Sequence, residues 1–201
     1  MNRPVFHPVH QIISIVILLF FTPSLLAKPL GSYDVSVKIP FGSKHPDAPI
    51  QVQDWQPMIG KSSCINTGRN PDGQWQKPVK MDWVFKYILN GSAVQDEILK
   101  EDGSGAGSIR QFDDKSGQWF VHYYSTLKAD APLRYWQGKR SKDKIVLTRV
   151  QKSFSGKEGS IRLTFFDFKP NSFEWLMEWV SLDKATVYAV RKISCVKDGV
   201  M

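Results

Sequence analysis

Hydrophobic and polar residues alternate along much of this chain, and the alternation is clearest between positions 160 and 181. Within positions 172–181, large apolar residues occupy every second position and mostly polar residues lie between them. A period of two is typical of a half-buried strand, because successive side chains of a strand point to opposite faces. Lys169, Pro170 and Asn171 separate two such runs and form a natural turn. We therefore predict a β-hairpin whose inward face carries Phe173, Trp175, Met177 and Trp179.

The same alternation recurs at short intervals through the rest of the chain. Asn90 and Gly91 separate two of the runs, and this dipeptide is a strong hairpin signal because both residues accept a positive φ. About ten strands with hairpin-length connections favour an all-β fold, an antiparallel up-and-down barrel, over a Greek-key sandwich. A closed barrel also removes exposed strand edges. The predicted strands are one around Cys64, then 81–89, 94–100, 108–113, 118–125, 133–139, 144–151, 160–168, 172–181 and 186–196.

The first 27 residues have the pattern of a secretory signal peptide. Arg3 supplies a positive start, an apolar run covers 12–21, and Ala27 ends the expected cleavage site. The run is short for a membrane span, which needs about 20 residues. We expect export to the periplasm or the extracellular space, with no stable membrane span after cleavage. An uncleaved N-terminal anchor is the alternative.

After the signal peptide the chain divides into two parts. Residues 28–53 are rich in proline, glycine and serine and are predicted to form an extension packed on the outside of the domain. Within this extension, 33–39 alternates like an edge strand and 44–49 is predicted to be a loop. Residues 54–201 form the predicted barrel domain, which starts with a short helical piece at 54–59.

Charge and composition narrow the function classes. The 201-residue chain is 42% hydrophobic and 12% aromatic, which is enough for a packed core in one domain. Its formal net charge is +8, but lysines and arginines are interspersed with acidic residues, which is typical of a solvated surface. No nucleic-acid partner is expected. Gly60-Lys61-Ser62 resembles part of a phosphate-binding loop, yet Trp55 occupies the position of the required first glycine, so nucleotide binding is excluded.

The chain contains only two cysteines, Cys64 and Cys195. They lie in the first and last predicted strands of the barrel, and those strands are neighbours when a barrel closes. An exported protein reaches an oxidising compartment, where a disulfide between them forms and persists. Two buried free thiols are the alternative. Beyond the signal peptide only His45 and His122 could add soft metal ligands, and their spacing fits no metal site, so no cofactor or metal is expected.

Short motifs occur in a defined order along the chain. They are Trp55, Met58 and Gly60; Ile88-Leu89-Asn90-Gly91 followed by Asp96-Glu97; Ile109-Arg110-Gln111-Phe112-Asp113 with Trp119; Trp136-Gln137-Gly138; Arg162 through Phe166-Asp167; Asn171-Ser172-Phe173-Glu174-Trp175; and Ser181-Leu182-Asp183. In this order the chain resembles the uncharacterised calycin-like bacterial proteins, which are related in shape to lipocalins and fatty-acid-binding proteins. The resemblance covers about 53–196 and implies an antiparallel barrel with a central cavity and no established activity. Ser62 departs from the pattern, because members often have tryptophan there.

The inward faces of the predicted strands suggest a binding site. Small barrels fill their interior with side chains, whereas slightly wider ones hold a small ligand. Both a packed aromatic core and a cavity for a small apolar or aromatic ligand are compatible with these faces. Arg110 either anchors a ligand carboxylate or pairs with Asp96 or Glu97, and we favour the structural pair. The candidate ligand-binding residues are Trp83, Phe85, Tyr87, Arg110, Tyr123, Trp175, Met177 and Trp179.

Catalytic groups are weakly indicated. Glu174 and Glu178 lie four residues apart on one strand face, about 13 Å at about 3.3 Å per residue. Glycosidase carboxylates are about 5–9.5 Å apart, so both glutamates are expected to face solvent. His122 has no nucleophile motif beside it. We therefore favour a binding protein over an enzyme. The alternatives are a structural or partner-binding barrel with a filled core, and a hydrolase that uses His122. The sequence indicates no oligomeric state.

Overall fold

The computed structural model describes residues 31–199, and it confirms an all-β fold. Ten strands form one closed antiparallel barrel in which each strand pairs with the next along the chain and the last pairs with the first. The predicted up-and-down barrel is thus correct. The strands are β1 (Gly60–Gly68), β2 (Val79–Ile88), β3 (Ala93–Lys100), β4 (Gly105–Asp113), β5 (Gln118–Ser125), β6 (Arg134–Ser141), β7 (Lys144–Val150), β8 (Gly159–Lys169), β9 (Ser172–Ser181) and β10 (Val187–Lys197).

The two ends of the barrel are built differently. A 3-10 helix, Ile50–Met58, precedes β1 and covers the end at which β1 begins, with Val52, Trp55 and Met58 buried. We call this the closed end. Five connections lie at the opposite end, which we call the open end. They are β1–β2, β3–β4, β5–β6, β7–β8 and β9–β10. The helix begins four residues before the predicted helical piece, because Ile50 and Val52 continue the same turns.

The β2–β3 hairpin turns earlier than the sequence suggests. Leu89 was predicted to end the strand, but it lies in the turn and is exposed. Leu89 and Asn90 each have φ +52° and Gly91 has φ +78°, so three successive residues are left-handed. Glycine is required at the third position for a second reason, because a Cβ there would lie 2.2 Å from the carbonyl oxygen of Ser43. The turn is therefore shaped by the N-terminal segment packed against it.

Residues 31–49 lie against this hairpin, and the predicted edge strand at 33–39 is wrong. The segment forms turns and bends instead. The Asp34 carboxylate accepts the Asn90 N–H at 2.7 Å, and the His45 N–H donates to the Gly91 carbonyl at 3.1 Å. A closed barrel offers no full-length edge to an eleventh strand. The end of β2 extends beyond β1, and the Tyr87 N–H there donates to the Phe41 carbonyl at 2.9 Å.

A disulfide bond joins Cys64 and Cys195, as predicted. The two residues lie directly opposite each other in the β1–β10 pairing, so the bond crosses the seam where the first and last strands meet. The proposed signal peptide at residues 1–27 lies outside the described residues. Between residues 31 and 199 the structure contains no helix with the length and apolar character that a membrane span requires.

Candidate functional site

The open half of the barrel is hollow. A cavity of about 750 Å³ extends from the centre of the barrel to the connections at the open end. It is deep because side chains from nearly every strand line it, and exposed loop residues such as Leu127, Phe154 and Lys157 form its mouth. A volume between about 300 and 1,000 Å³ is typical of sites that hold a small molecule.

Four tryptophans give the cavity an aromatic wall. They are Trp83 on β2, Trp136 on β6, and Trp175 and Trp179 on β9. The rings of Trp83 and Trp175 meet edge to face with centroids 6.2 Å apart, and Trp136 meets Tyr123 in the same way at 5.9 Å. The indole N–H of Trp179 donates to the Gln151 carbonyl at 3.0 Å, which fixes this ring near the mouth. Edge-to-face packing holds such rings in defined orientations, so the wall is preorganised.

A buried ion pair forms the floor of the cavity. The Arg110 guanidinium on β4 donates to the Asp96 carboxylate on β3, and both side chains are almost fully buried. Asp96 also accepts the Ser108 hydroxyl and, at 2.6 Å, the Trp83 indole N–H. Three donors on one carboxylate compensate its loss of water. Arg110 thus makes the structural pair favoured from the sequence, and Asp96 is its partner.

Below this floor the closed half is solidly packed. The Arg110 guanidinium stacks 4.5 Å from the Trp55 ring centroid and 4.8 Å from that of Phe85. Trp55 meets Trp119 edge to face at 5.5 Å. The helix is fixed by Asp54, whose carboxylate accepts the Trp119 indole N–H at 3.1 Å. Burial raises the pKa of Asp54, and this hydrogen bond and the Arg140 charge oppose that rise. The 3-10 helix therefore fills the barrel from one end only as far as Arg110.

The cavity lining is strongly basic. Among the residues that the structure describes, seven cationic side chains line it but only one carboxylate, Asp96, which already pairs with Arg110. Among the cationic residues, Arg134 and Arg149 lie over the aromatic wall, with guanidinium carbons 5.4 Å from the Tyr123 centroid and 4.7 Å from the Trp136 centroid. The cationic residues beyond Arg110 are Lys100, Arg134, Arg149, Lys152, Lys157 and Arg191.

The structure places six of the eight candidate residues around this cavity: Trp83, Arg110, Tyr123, Trp175, Met177 and Trp179. Phe85 and Tyr87 also point inward but lie in the closed half, away from the lining. Phe85 is fully buried. The Tyr87 hydroxyl donates to the Gln56 side-chain oxygen at 2.6 Å, and burial raises the pKa of Tyr87 to about 12. A period of two reports which face a residue occupies, but it does not report its depth along the barrel.

Sequence reasoning missed Trp136, Arg134 and Arg149 as lining residues. Trp136 was included only in a motif. Arg149 had a usable signal, because Ile145 and Leu147 occupy the same strand face and an arginine that continues an apolar face points inward. Arg134 is the first residue of β6, one position after the predicted start of that strand at 133.

The residues that the sequence analysis weighed and did not favour as catalytic groups, Glu174, Glu178 and His122, lie on the outer face of the barrel. Glu178 pairs with Arg162 at 2.9 Å, and Glu174 accepts the Ser194 hydroxyl at 2.7 Å. His122 lies beside Tyr135 on the outside, with ring centroids 5.8 Å apart. Across residues 31–199, no three His, Cys, Asp or Glu side chains are grouped so that they could hold a metal ion.

Comparison with known proteins supports the fold. No family model matches the chain, and no curated protein is similar to it in sequence. Among solved structures, the crystal structure of Rv2717c from M. tuberculosis is similar, with a TM-score of 0.50 over 76% of this chain and 99% of that one. The two sequences are 11% identical, so the likeness concerns the fold alone. The closed ten-strand antiparallel barrel fits the calycin-like fold.

Proposed function

We propose that this chain is an exported, calycin-like binding protein that holds a small apolar or aromatic ligand in its open half. The observation that carries the proposal is the cavity of about 750 Å³ with its four-tryptophan wall. An aromatic wall with a few polar groups is the usual composition of a small-molecule site. A structural or partner-binding barrel with a filled core is favoured less, because only the closed half is filled. The Cys64–Cys195 disulfide supports export, since such bonds persist in oxidising compartments.

The wall and the floor contribute differently to ligand binding. Each aromatic ring offers a flat apolar surface, and burying a ligand's apolar area stabilises the complex by about 25 cal/mol per Å² before the costs of association. The floor adds no free charge, because Arg110 and Asp96 neutralise each other. A ligand body that reaches the floor therefore meets a neutral, rigid surface beside Trp83 and Met177. Flat or branched apolar bodies fit these walls better than strongly hydrated ones.

The proposal is tested with N-phenylnaphthylamine, a neutral dye whose fluorescence rises in apolar sites. We expect saturable binding of one dye per chain and quenching of tryptophan fluorescence. Ala106 lines the cavity on β4, so Ala106→Trp should fill the space and abolish binding. Thr148 is exposed on β7, and Thr148→Trp is the matched control that should leave binding unchanged. No saturable binding by the wild-type chain, or equal binding by both variants, would contradict the proposal.

Native mass spectrometry of protein purified from its own cell provides an independent test. A ligand held in a preformed cavity should survive gentle purification as a discrete added mass. The Ala106→Trp variant purified in parallel should lack that mass. An added mass of the same size in both proteins would place the molecule elsewhere on the chain.

A further inference from the structure

We infer that the ligand is an anionic amphiphile whose acidic group binds Arg149 at the mouth while its apolar body lies against the tryptophan wall. This inference rests on the proposed function and adds the charge of the ligand and the position of that charge. It concerns the basic residues of the mouth, whereas the proposed function concerns the apolar interior.

The charge of the lining is the first observation. Seven cationic side chains and one carboxylate line the cavity, although the whole chain contains 27 basic and 19 acidic residues. The single carboxylate, Asp96, is already neutralised by Arg110 at the floor. The remaining positive charge is therefore concentrated toward the mouth. Clefts lined by one sign of charge concentrate ligands of the opposite sign.

Arg149 is the second observation. Its guanidinium lies 4.7 Å over the Trp136 ring, and its Nε atom is buried without a hydrogen-bond partner. Within the part of the chain that the structure describes, its only side-chain hydrogen bond is to the neutral Gln151 side chain. Across residues 31–199, no carboxylate lies within ion-pair distance of Arg149. Burial lowers the pKa of Arg149, the nearby Arg134 charge lowers it further, and the Asp130 carboxylate, which makes no ion pair with Arg149, partly opposes both. A half-buried cation without an ion-pair partner gains more from an anion than a solvated one does.

The neighbouring residues leave this position open to an anion. Arg134 lies over Tyr123, and Tyr123 packs edge to face against Trp136, so the two guanidiniums cover adjacent rings. Asp130 neutralises Arg134 from outside the lining, and Lys152 is neutralised by Glu158 at 2.7 Å. Arg149 differs from both, because within residues 31–199 no carboxylate forms an ion pair with it and Asp130 acts on it only at longer range. An acidic group at Arg149 would place an attached apolar body beside Trp136, which is part of the wall.

Two probes with one skeleton separate charge from shape. Anilinonaphthalene sulfonate carries the same ring system as N-phenylnaphthylamine and adds a sulfonate. We expect the anionic dye to bind at least about tenfold more tightly at low salt, since charge-assisted hydrogen bonds are stronger than neutral ones. Added salt should weaken the anionic dye and leave the neutral dye nearly unchanged, because salt screens exposed charges. A saturated carboxylate such as dodecanoate, used as a competitor against dodecanol, shows whether the preference extends to other acidic groups and bodies.

Arg149→Gln is the decisive variant. It should lower the affinity for the anionic dye about tenfold and change the affinity for the neutral dye by no more than about twofold. Lys144→Gln removes the same charge from the same strand at the closed end, where Lys144 is exposed, and should change neither affinity appreciably. Lys157→Gln alters only an exposed mouth residue, so it should weaken the anionic dye by about twofold even if Arg149→Gln does not fold.

The outcomes distinguish the two proposals. Tight neutral-dye binding without a preference for the anion would overturn this inference and leave the proposed function standing. Absence of binding by either dye would overturn both. Equal weakening of the anionic dye by Arg149→Gln and Lys144→Gln would show a general charge effect, and it would overturn the assignment of the acidic group to Arg149.

Discussion

The closed and open ends of the barrel are made by the same ten strands, yet one end is solid and the other is hollow. At the closed end, Trp55 is completely buried against Trp119 and Phe165. At the open end, the tryptophan rings border empty space, and Trp175 and Trp179 retain 7% and 8% of their exposure. Inward side chains just fill the interior of a barrel of about eight strands, so the wider interior of a ten-strand barrel is not filled by them alone. The 3-10 helix supplies the missing volume at one end only.

The boundary between the two halves is polar. Arg110 and Asp96 lie between the stacked rings of the closed half and the cavity. Trp83 and Ser108 hold Asp96 by hydrogen bonds, and Arg110 stacks on the rings of the closed half. The pair cannot shift to fill the hollow half without losing these contacts. The difference between the ends therefore has two causes. The helix ends at the floor, and the fixed Arg110–Asp96 pair separates the packed half from the cavity. Substitutions in four regions test this comparison, in order of decreasing expected effect: the closed-end plug, the floor, the seam and the outer face of β9.

The largest effect is expected at Trp55, the residue that plugs the closed end. Trp55→Ala should lower the free energy of unfolding by about 3–5 kcal/mol, from lost burial and a new internal cavity. Trp175→Ala should cost less, about 2–3 kcal/mol, because its ring already borders a cavity that water or ligand can enter. Chemical denaturation of both variants measures the difference. Equal losses would mean that the two ends are packed alike.

The floor is expected to be nearly as sensitive. Asp96→Ala leaves Arg110 buried without a counter-charge and should cost about 3–5 kcal/mol. Glu97, its neighbour on β3, faces outward and pairs with Lys86 at 3.5 Å, so Glu97→Ala should cost at most about 1 kcal/mol. Replacing both floor residues, Asp96→Leu with Arg110→Met, should recover part of the loss. An Asp96→Ala variant with an unchanged free energy of unfolding would show that the pair does not stabilise the boundary.

The seam disulfide comes next and should affect both ends together. Cys195→Ala should lower stability by about 2–4 kcal/mol, because the bond restricts the unfolded chain. Dye binding in the open half should persist in folded protein, since both cysteines are buried outside the cavity lining. Thermal unfolding with and without reductant, followed by dye titration, measures both quantities. If the Cys195→Ala variant kept its stability but no longer bound the dye, the seam would be part of the binding site.

The smallest effects are expected on the outer face of β9. Glu174→Ala should cost under about 0.5 kcal/mol, as the sequence predicts for a solvent-facing carboxylate. Glu178 is more enclosed, with 13% of its side chain exposed and Arg162 at 2.9 Å, so Glu178→Ala should cost up to about 1 kcal/mol. Urea denaturation resolves these values against Trp175→Ala. If the glutamate variants were the less stable ones, the inner and outer faces of β9 would be reversed.

Local pattern was sufficient to predict most of the fold. Alternation determines strands wherever one face is apolar, and β5 and β9 have the predicted bounds. It failed at the start of β4, where Gly105, Ala106 and Gly107 have no large apolar side chain that could mark one face of the strand. It also failed at 33–39, where a strand-like pattern has no edge to pair with. The cysteine pair was predictable because closure makes the first and last strands neighbours.

The site was less predictable than the fold. Phe85 and Trp83 share one inward face, yet only Trp83 borders the cavity, because the helix fills the space around Phe85. In the helix Val52, Trp55 and Met58 recur every third position, the period of a 3-10 helix, but three apolar residues in so short a segment do not indicate where the helix packs. Depth along the barrel is thus set by a contact between distant parts of the chain. Arg149 could have been identified as inward-facing, but its lack of a counter-charge depends on the positions of Asp130 and Glu158.

The seam has a consequence for the order in which the barrel assembles. Nine of the ten strand pairings join consecutive strands, whereas the β1–β10 pairing joins residues 131 positions apart. Loop-closure entropy grows with the length of chain between two contacts, so consecutive hairpins are expected to form before the ends meet. The disulfide is then expected to form after the hairpins. During refolding the two thiols should stay open to alkylation until the amides of the hairpins are protected from hydrogen exchange.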